Sequence, residues 1–154
     1  MPITIRPVDC ITDQHWQLLL AADPSQAMIL RYLDQAHVFE AYREAHLCGL
    51  IALVEQTTNR IEIMNLAVTP ADQGQGIGTR LLTFALNWAE QCGAIRVEIG
   101  TGSTSFEQLY LYQKMGFRVV AVVPNFFLDH YDEPIVENKL VLKDMIRLAL
   151  ELKP

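Results

Sequence analysis

Three glycines at alternate positions, Gly74, Gly76 and Gly78, stand directly before a long segment with an apolar stripe. Glycine is unfavourable in a folded chain unless the backbone needs a conformation, or a closeness of approach, that a Cβ atom forbids. A glycine-rich turn that leads into a helix leaves main-chain N–H groups without acceptors, and the helix dipole adds partial positive charge there. The spacing therefore favours a site where the backbone binds an anion such as a pyrophosphate.

Two better-known glycine motifs do not fit this stretch. A dinucleotide-binding fingerprint requires a further glycine where Thr79 stands, and it follows the first strand of a βαβ unit. A P-loop requires Gly-Lys-Ser/Thr, whereas Gly78 is followed by threonine and arginine. A turn that merely joins a strand to a helix is the alternative to an anion site.

Length and composition exclude several classes of protein. The 154 residues predict a single domain over residues 1–154 with a substantial core. The formal charge of −6 argues against a nucleic-acid partner, since phosphate binding demands a basic patch, and it mildly favours cationic small molecules. No run of about eighteen apolar residues occurs, so we predict no membrane partner.

The cysteines and histidines predict neither disulfides nor a metal site. Cys10, Cys48 and Cys92 are odd in number and have no paired spacing, which indicates reduced thiols in a cytoplasmic protein. The N-terminus lacks the basic-then-apolar pattern of a secretory signal. No CxxC or HxxxH spacing is present, so we expect no metal cofactor.

The glycine stretch must be positioned by the elements around it. Apolar periodicity predicts the order β-α-α-β-β-β-α-β-α-β-β, an α/β (α+β) fold with a mixed, mostly antiparallel central sheet of about seven strands flanked by about four helices. The run RIEIMNLAV has apolar residues at both odd and even positions, so both faces of the strand would be buried. This predicts a mid-sheet strand with Ile61, Ile63 and Ala67 on one face. Residues 124–140 are predicted to form a loop, and residues 143–152 a strand.

These features together resemble one protein family. The hexapeptide Gln-Gly-Gln-Gly-Ile-Gly at 73–78 is similar to the Q/R-x-x-G-x-G/A signature of the GNAT superfamily of acyl-CoA N-acyltransferases, and it lies between NLAVTP and a long helix, as it does in that family. The segment LYLYQKMGF at 109–117 resembles the family's helix-then-strand element. With the strand order, the resemblance covers nearly the whole chain. It implies a GNAT-like fold with acetyl-CoA as co-substrate.

The resemblance also implies which residues bind the coenzyme. The loop backbone would bind the pyrophosphate, the strand before it would pair with the pantetheine arm, and the first amide of that strand segment would point at the thioester carbonyl, where a fixed donor stabilises developing negative charge. These residues are Leu66, Ala67 and Val68 in the strand and Gln73, Gly74, Gln75, Gly76, Ile77, Gly78 and Thr79 in the loop. Many relatives also carry an asparagine before the next helix; GTGSTSF has none, so Ser103 or Ser105 is expected to donate instead.

The reaction implied by the resemblance requires a base and an acid. Glu62 is the candidate base, a lone carboxylate in an apolar strand, where burial is expected to raise its pKa toward the useful range; the alternative is a solvated residue at the rim. Tyr112 occupies the position of the family's tyrosine, which protonates the leaving thiolate, and a purely packing role is the alternative. A helical wheel places Tyr110 in the core and Tyr112 at the edge of that face.

The acceptor site is expected in the segment DHYDE, which follows the Tyr112 helix and its strand. Asp129, His130, Tyr131 and Asp132 could receive a cationic amine, and a solvated loop is the alternative. The sequence thus predicts an enzyme that transfers acetyl from acetyl-CoA to a primary amine of a small molecule, cationic or neutral, by direct attack and without Cys92 as a covalent relay. A CoA-binding sensory module without turnover and a protein N-terminal or lysine acetyltransferase are the alternatives. The oligomeric state is left open, with a homodimer as one option.

Overall fold

The helices follow apolar residues that repeat with a period near 3.6 residues, and the strands follow apolar residues that repeat every two. The computed structural model describes residues 2–57 and 59–152. The strands are β1 (Thr4–Pro7), β2 (His37–Arg43), β3 (His46–Thr57), β4 (Arg60–Val68), β5 (Arg96–Gly102), β6 (Arg118–Val123), β7 (Val136–Glu137), β8 (Leu140–Val141) and β9 (Met145–Glu151). The helices are α1 (Asp13–Ala22), α2 (Gln26–Leu33), α3 (Ile77–Gln91), α4 (Phe106–Lys114) and α5 (Phe126–His130), and a 3-10 turn covers Pro70–Asp72.

One sheet of seven strands organises the molecule. The strand order is β1-β2-β3-β4-β5-β9-β6, and β7 and β8 form a separate hairpin. β4 and β5 run parallel, and the other neighbours in the large sheet are antiparallel. The predicted α/β (α+β) architecture with a mixed, mostly antiparallel sheet is confirmed, and β4 lies mid-sheet as expected.

Helices bury both faces of this sheet. On one face, Leu81 and Leu82 of α3 are fully buried against β3 and β4. On the other face, Leu19 of α1 and Ile29 of α2 are fully buried. Burial of each such side chain contributes about 1.5–3 kcal/mol. The strands that carry the site are therefore held from two sides.

Local side chains determine where α1 and α2 begin. The Thr12 main-chain N–H donates to His15 Nδ1 at 3.0 Å in a capping box. The Ser25 side chain accepts from the Met28 N–H at 3.2 Å. Because α1 ends at Ala22 and α2 begins at Gln26, Asp23 lies in the short connection between the two helices.

A β-bulge in β4 changes which side chains share a face. Asn65 lies opposite Ala52 of β3 and Ile63 lies opposite Leu53, so Met64 is an extra residue. The assignment of Ala67 to the face of Ile61 and Ile63 is therefore wrong: the two isoleucines pack in the α3 core, and Ala67 packs on the α1–α2 side. An inserted residue shifts the alternation of the strand by one position.

The same bulge marks the point at which β4 and β5 separate. The two strands pair only from Arg60 to Ile63 on β4, although β4 continues to Val68. β5 continues to Gly102 and remains paired with β9 on its other side. A cleft therefore opens between the carboxyl halves of two adjacent parallel strands.

The expectation of a structureless loop at 124–140 is wrong, whereas the strand predicted near the C-terminus is confirmed as β9. The segment contains the short helix α5 and the β7–β8 hairpin. Both are brief elements whose periodicity covers too few residues to be distinguished from a loop in sequence. They matter because they form walls of the cavities described next.

Candidate active site

Two of the three loop glycines adopt backbone conformations that other residues avoid. Gly74 has φ of +77° and Gly76 has φ of +83°, both in the left-handed region. An added Cβ would meet no atom within 4 Å at either position, so the requirement is conformational and not steric. Gly78 has no positive φ, and its Cβ would make an ordinary 3.7 Å contact with Leu111.

The loop presents free main-chain N–H groups, as predicted. Gly76 caps α3 without any side-chain hydrogen bond, and the first helical bond runs from the Arg80 N–H to the Gly76 carbonyl at 3.0 Å. Among the described residues, no acceptor takes the N–H groups of residues 74–79. The arrangement fits the phosphates of a nucleotide coenzyme, because unpaired donors converge at a helix N-terminus.

Side chains next to the glycines brace the loop. Gln73 Nε2 donates to the Val68 carbonyl at 3.1 Å, which ties the loop to the end of β4. Gln75 Oε1 accepts from Arg43 Nη2 at 2.6 Å. Asp72 accepts from the Thr69 hydroxyl, from His46 Nε2 at 2.9 Å and from Arg43 Nη1 at 3.0 Å. The hydrogen bonds from Thr69 and His46 hold the pKa of Asp72 below its ordinary value.

The cleft between β4 and β5 forms a cavity of about 860 Å³, here called the coenzyme cleft. Its walls include residues 63–68 of β4, residues 99–102 of β5, the glycine loop and one side of α4. All the predicted coenzyme-binding residues line it except Gln75, whose side chain instead binds Arg43. From Met64 onward the side of β4 that faces the cleft has no strand partner, which leaves room for an extended ligand to pair with its backbone.

Ser105 lines the coenzyme cleft, but its hydroxyl is already engaged. It donates to Glu137 Oε1 of the β7–β8 hairpin, and the residue is buried. The expectation that this hydroxyl replaces the missing asparagine is therefore not supported by its hydrogen bonding. Ser103 lies outside the lining of the cleft.

The two tyrosines of α4 are arranged opposite to the helical-wheel expectation. Tyr112 is 4% exposed and lines the coenzyme cleft, whereas Tyr110 is 67% exposed. The Tyr112 ring centroid lies 6.1 Å from that of Phe117. Burial raises the pKa of the Tyr112 hydroxyl, so the phenol stays protonated at neutral pH.

A second cavity of about 400 Å³, here called the acceptor cavity, adjoins the cleft on the α2 side of β4. His130 and Tyr131 line it, and the His130 ring stacks on Phe126 with centroids 4.4 Å apart. Asp129 and Asp132 are exposed and line neither cavity. The structure therefore brings together only two of the four predicted acceptor residues in this cavity.

Glu62 also lines the acceptor cavity, but it is not the lone carboxylate expected from the sequence. Its Oε2 accepts from Arg147 Nη1 at 2.8 Å, and its Oε1 accepts from Gln56 Nε2 at 2.8 Å. Arg147 also lies 3.6 Å from Glu98 Oε1. The side chain of Glu62 is 15% exposed, so the carboxylate is neither a rim residue nor isolated.

Sequence reasoning missed Asp23 and its hydrogen bond with Tyr131, although Tyr131 itself was among the predicted acceptor residues. The Tyr131 hydroxyl donates to Asp23 Oδ1 at 2.8 Å across 108 positions of sequence. In sequence, Asp23 before Pro24 indicates only the end of a helix. The residues that line both cavities, and so mark where the two meet, are Asp23, Ile63, Met64, Gly100, Tyr131 and Met145.

Within residues 2–57 and 59–152, no group of three or more histidine, cysteine or acidic side chains could hold a metal ion. In the same ranges, no helix is long and apolar enough to cross a membrane.

Comparison with known proteins identifies the family. The model of the acetyltransferase (GNAT) family matches residues 9–117. The uncharacterized N-acetyltransferase YvbK of Bacillus subtilis strain 168 is 42% identical over 140 residues, which cover 91% of this chain and 90% of that protein.

Solved structures extend the likeness to the whole fold and to the coenzyme. A Bacillus subtilis acetyltransferase in complex with CoA superposes with a TM-score of 0.94 at 39% identity, covering 99% of this chain and 100% of that one. A GNAT family acetyltransferase from Elizabethkingia anophelis with acetyl-CoA bound gives a TM-score of 0.93 at 41% identity, covering 97% and 98%. With its free loop amides and its split sheet, this chain belongs to the GNAT family and is an acetyl-CoA-dependent N-acetyltransferase.

Proposed function

We propose that this enzyme acetylates the primary amine of a small molecule, and that the acetyl group passes directly from acetyl-CoA to the amine. The observation that carries the proposal is the junction of the two cavities, where six residues belong to both linings. The acceptor cavity, at about 400 Å³, falls in the range of roughly 300–1,000 Å³ that is common for small-molecule pockets.

The coenzyme is proposed to lie along the β4–β5 cleft. Its phosphates would accept from the free N–H groups of residues 74–79, and its pantetheine arm would pair with the unpartnered side of β4 at Leu66, Ala67 and Val68. Acetyl-CoA supplies the acetyl group as a thioester at the end of that arm. The N–H groups of β4 near the junction are the donors available to the thioester oxygen.

Tyr112 is proposed to donate a proton to the sulfur as the thiol departs. The residue lines the coenzyme cleft, and burial raises its pKa, so its hydroxyl carries a proton at neutral pH. The sulfur gains negative charge as the C–S bond breaks, so a hydroxyl positioned beside it would stabilise that charge by hydrogen bonding and would supply the proton of the departing thiol.

Glu62 is proposed to accept the proton of the amine, directly or through water. The carboxylate lines the acceptor cavity, and Arg147 and Gln56 fix its position at 2.8 Å each. Each oxygen has a further lone pair for a donor from the cavity. Cys92 is not proposed as a relay, since it lines neither cavity.

The test is thiol release from acetyl-CoA in the presence of a panel of primary amines, with short lysine-containing and N-terminal peptides in a second panel. Release with small amines at rates well above those with peptides supports the proposal. Tight CoA binding with no release for any acceptor would favour a sensory module. A strong preference for peptides would favour a protein acetyltransferase.

A cytoplasmic location is proposed on the state of the cysteines. Cys10, Cys48 and Cys92 are all free thiols, and Cys10 and Cys92 are exposed. Exposed free thiols are typical of a reducing compartment. Cell fractionation with an antibody against the protein tests this location.

A further inference from the structure

We propose that the carboxylate of Asp23, held by Tyr131, binds the ammonium group of the acceptor at the junction of the two cavities. This inference rests on the proposed function, because it names the group that positions the amine for that reaction. It also assigns a chemical class to the acceptor: a primary amine that arrives as a cation, with an apolar or aromatic body.

Asp23 lies at the junction of the two cavities. Six residues line both the coenzyme cleft and the acceptor cavity. Only Asp23 and Tyr131 among them carry a side-chain oxygen or nitrogen; the others are Ile63, Met64, Gly100 and Met145. Among the described residues, these two side chains are therefore the only ones at the junction that can form a hydrogen bond with a substrate.

The hydrogen bonding of Asp23 leaves one oxygen available. Its Oδ1 accepts from the Tyr131 hydroxyl at 2.8 Å and from the Ser25 main-chain N–H at 3.1 Å. Its Oδ2 has no donor in the described part of the chain, and no cationic side chain there forms an ion pair with it. One oxygen is thus fixed in direction by two donors while the other remains free for a ligand.

The surroundings of Asp23 favour a cationic partner. Burial raises the pKa of Asp23, which means that its negative charge is incompletely compensated in the free protein. Burial also raises the pKa of neighbouring Tyr32 to about 12, so that ring stays neutral. Tyr32, Tyr131 and Phe126 all line the acceptor cavity, and aromatic faces attract ammonium groups.

Asp23 and Glu62 have separable roles. Both oxygens of Glu62 already accept hydrogen bonds from protein side chains, and Glu62 lines only the acceptor cavity. Asp23 has a free oxygen and lines both cavities. We therefore assign binding of the ammonium to Asp23, and the proton that the nitrogen must lose before it reacts passes to Glu62.

The apolar part of the cavity wall, which also carries polar residues such as Arg31 and Gln35, indicates the body of the acceptor. Met28, Met64 and Met145 line the acceptor cavity together with the aromatic side chains. Methionine adapts to irregular apolar shapes and contacts aromatic rings favourably. 2-Phenylethylamine is therefore a suitable probe, and 2-phenylethanol is its neutral isostere.

The experiment compares wild type, Asp23→Asn, Tyr131→Phe and a matched control, Asp34→Asn, which alters an exposed carboxylate that lines neither cavity. We expect Asp23→Asn to raise the KM for 2-phenylethylamine by about 10–100-fold, because a hydrogen bond between charged partners is lost. The expected change in kcat is smaller, and Tyr131→Phe should raise KM by a few-fold only. Asp34→Asn should match wild type.

A second measurement does not depend on turnover. Calorimetry on the CoA-loaded protein should show wild type binding 2-phenylethylammonium at least about tenfold more tightly than 2-phenylethanol, and Asp23→Asn should abolish this preference. The inference is overturned if Asp23→Asn keeps the wild-type KM or the wild-type preference, or if wild type shows no preference for the cation.

The two measurements separate this inference from the proposed function. Absence of thiol release with every amine contradicts the proposed function, while the calorimetric preference still decides the role of Asp23. Circular dichroism checks that each variant folds. If Asp23→Asn is unfolded, Tyr131→Phe and Asp23→Glu are measured instead. The inference is supported if Asp23→Glu keeps the preference for the cation and Tyr131→Phe binds the amine more weakly than wild type. Wild-type affinity for the amine in Tyr131→Phe overturns it.

Discussion

Arg147 and Glu62 are 85 positions apart in sequence, yet Arg147 Nη1 lies 2.8 Å from Glu62 Oε2. The pair spans β5, because β4 and β9 flank that strand on either side. At the point where the side chains cross, β5 carries Gly100, which pairs with Arg147, and an added Cβ there would lie 2.8 Å from Arg147 Nη1. The absence of a side chain at Gly100 leaves the space through which the arginine reaches the carboxylate.

The first prediction concerns Glu62 as the proton acceptor. Glu62→Gln keeps the size of the side chain and removes its charge, so we expect kcat to fall by about 10²–10³-fold with little change in CoA affinity. Steady-state kinetics with the best amine of the panel measures this. Glu55→Gln, an exposed carboxylate on β3, is the control and should retain wild-type kcat. A fall of less than threefold in Glu62→Gln would contradict the role.

The second prediction concerns the two tyrosines of α4. Tyr112→Phe removes one hydroxyl from the coenzyme cleft, and we expect kcat to fall by about 10²-fold while the Kd for CoA changes by less than threefold. Tyr110→Phe alters an exposed ring on the same helix and should have no effect on either quantity. Equal rates in the two variants would show that Tyr112 only packs.

The third prediction concerns stability at alkaline pH. Burial raises the pKa of Tyr112, and it raises that of Tyr32 to about 12. Because the folded protein holds these protons more tightly than the unfolded chain, their contribution is complete below the unfolded pKa of about 10 and is lost as pH rises above it. We therefore expect Tm to fall steeply above pH 10. Tyr112→Phe should make that decline shallower in differential scanning calorimetry, and an unchanged slope would contradict the argument.

The fourth prediction separates two glycines of the loop. Gly76→Ala forces a Cβ into the left-handed region at φ of +83°, which should lower the free energy of unfolding by roughly 1–2 kcal/mol and weaken CoA binding. Gly78→Ala has an ordinary backbone conformation inside α3 and should not destabilise the fold. Thermal melts and CoA titrations of both variants test this, and equal stabilities would contradict it.

The geometry of the glycine loop was predictable from sequence because it depends on consecutive residues. The left-handed glycines and the free N–H groups at the start of α3 follow from a few adjacent positions, and the chemistry of a helix N-terminus needs no distant partner. The succession of the long helices and strands along the chain was predictable for the same reason, since each long element carries its own apolar period.

The residues of the proposed acceptor site were not predictable from sequence, because contacts between distant residues decide which side chains line that cavity. Asp23 depends on Tyr131 across 108 positions, and the surroundings of Glu62 depend on a strand near the C-terminus. The choice between Tyr110 and Tyr112 depends on which side of α4 meets the sheet, and both sides of that short helix carry large side chains. The bulge at Met64 adds one residue that has no signature of its own in the sequence.

The separation of β4 from β5 leaves the backbone N–H and C=O groups on one side of β4 without a strand partner from Met64 onward. In the arrangement proposed above, the pantetheine arm would pair with that edge, and binding of the coenzyme to the folded state alone would raise the free energy of unfolding by about 2.7 kcal/mol when the coenzyme is present at a hundred times its Kd. The melting temperature of the protein is therefore expected to rise with the concentration of its coenzyme.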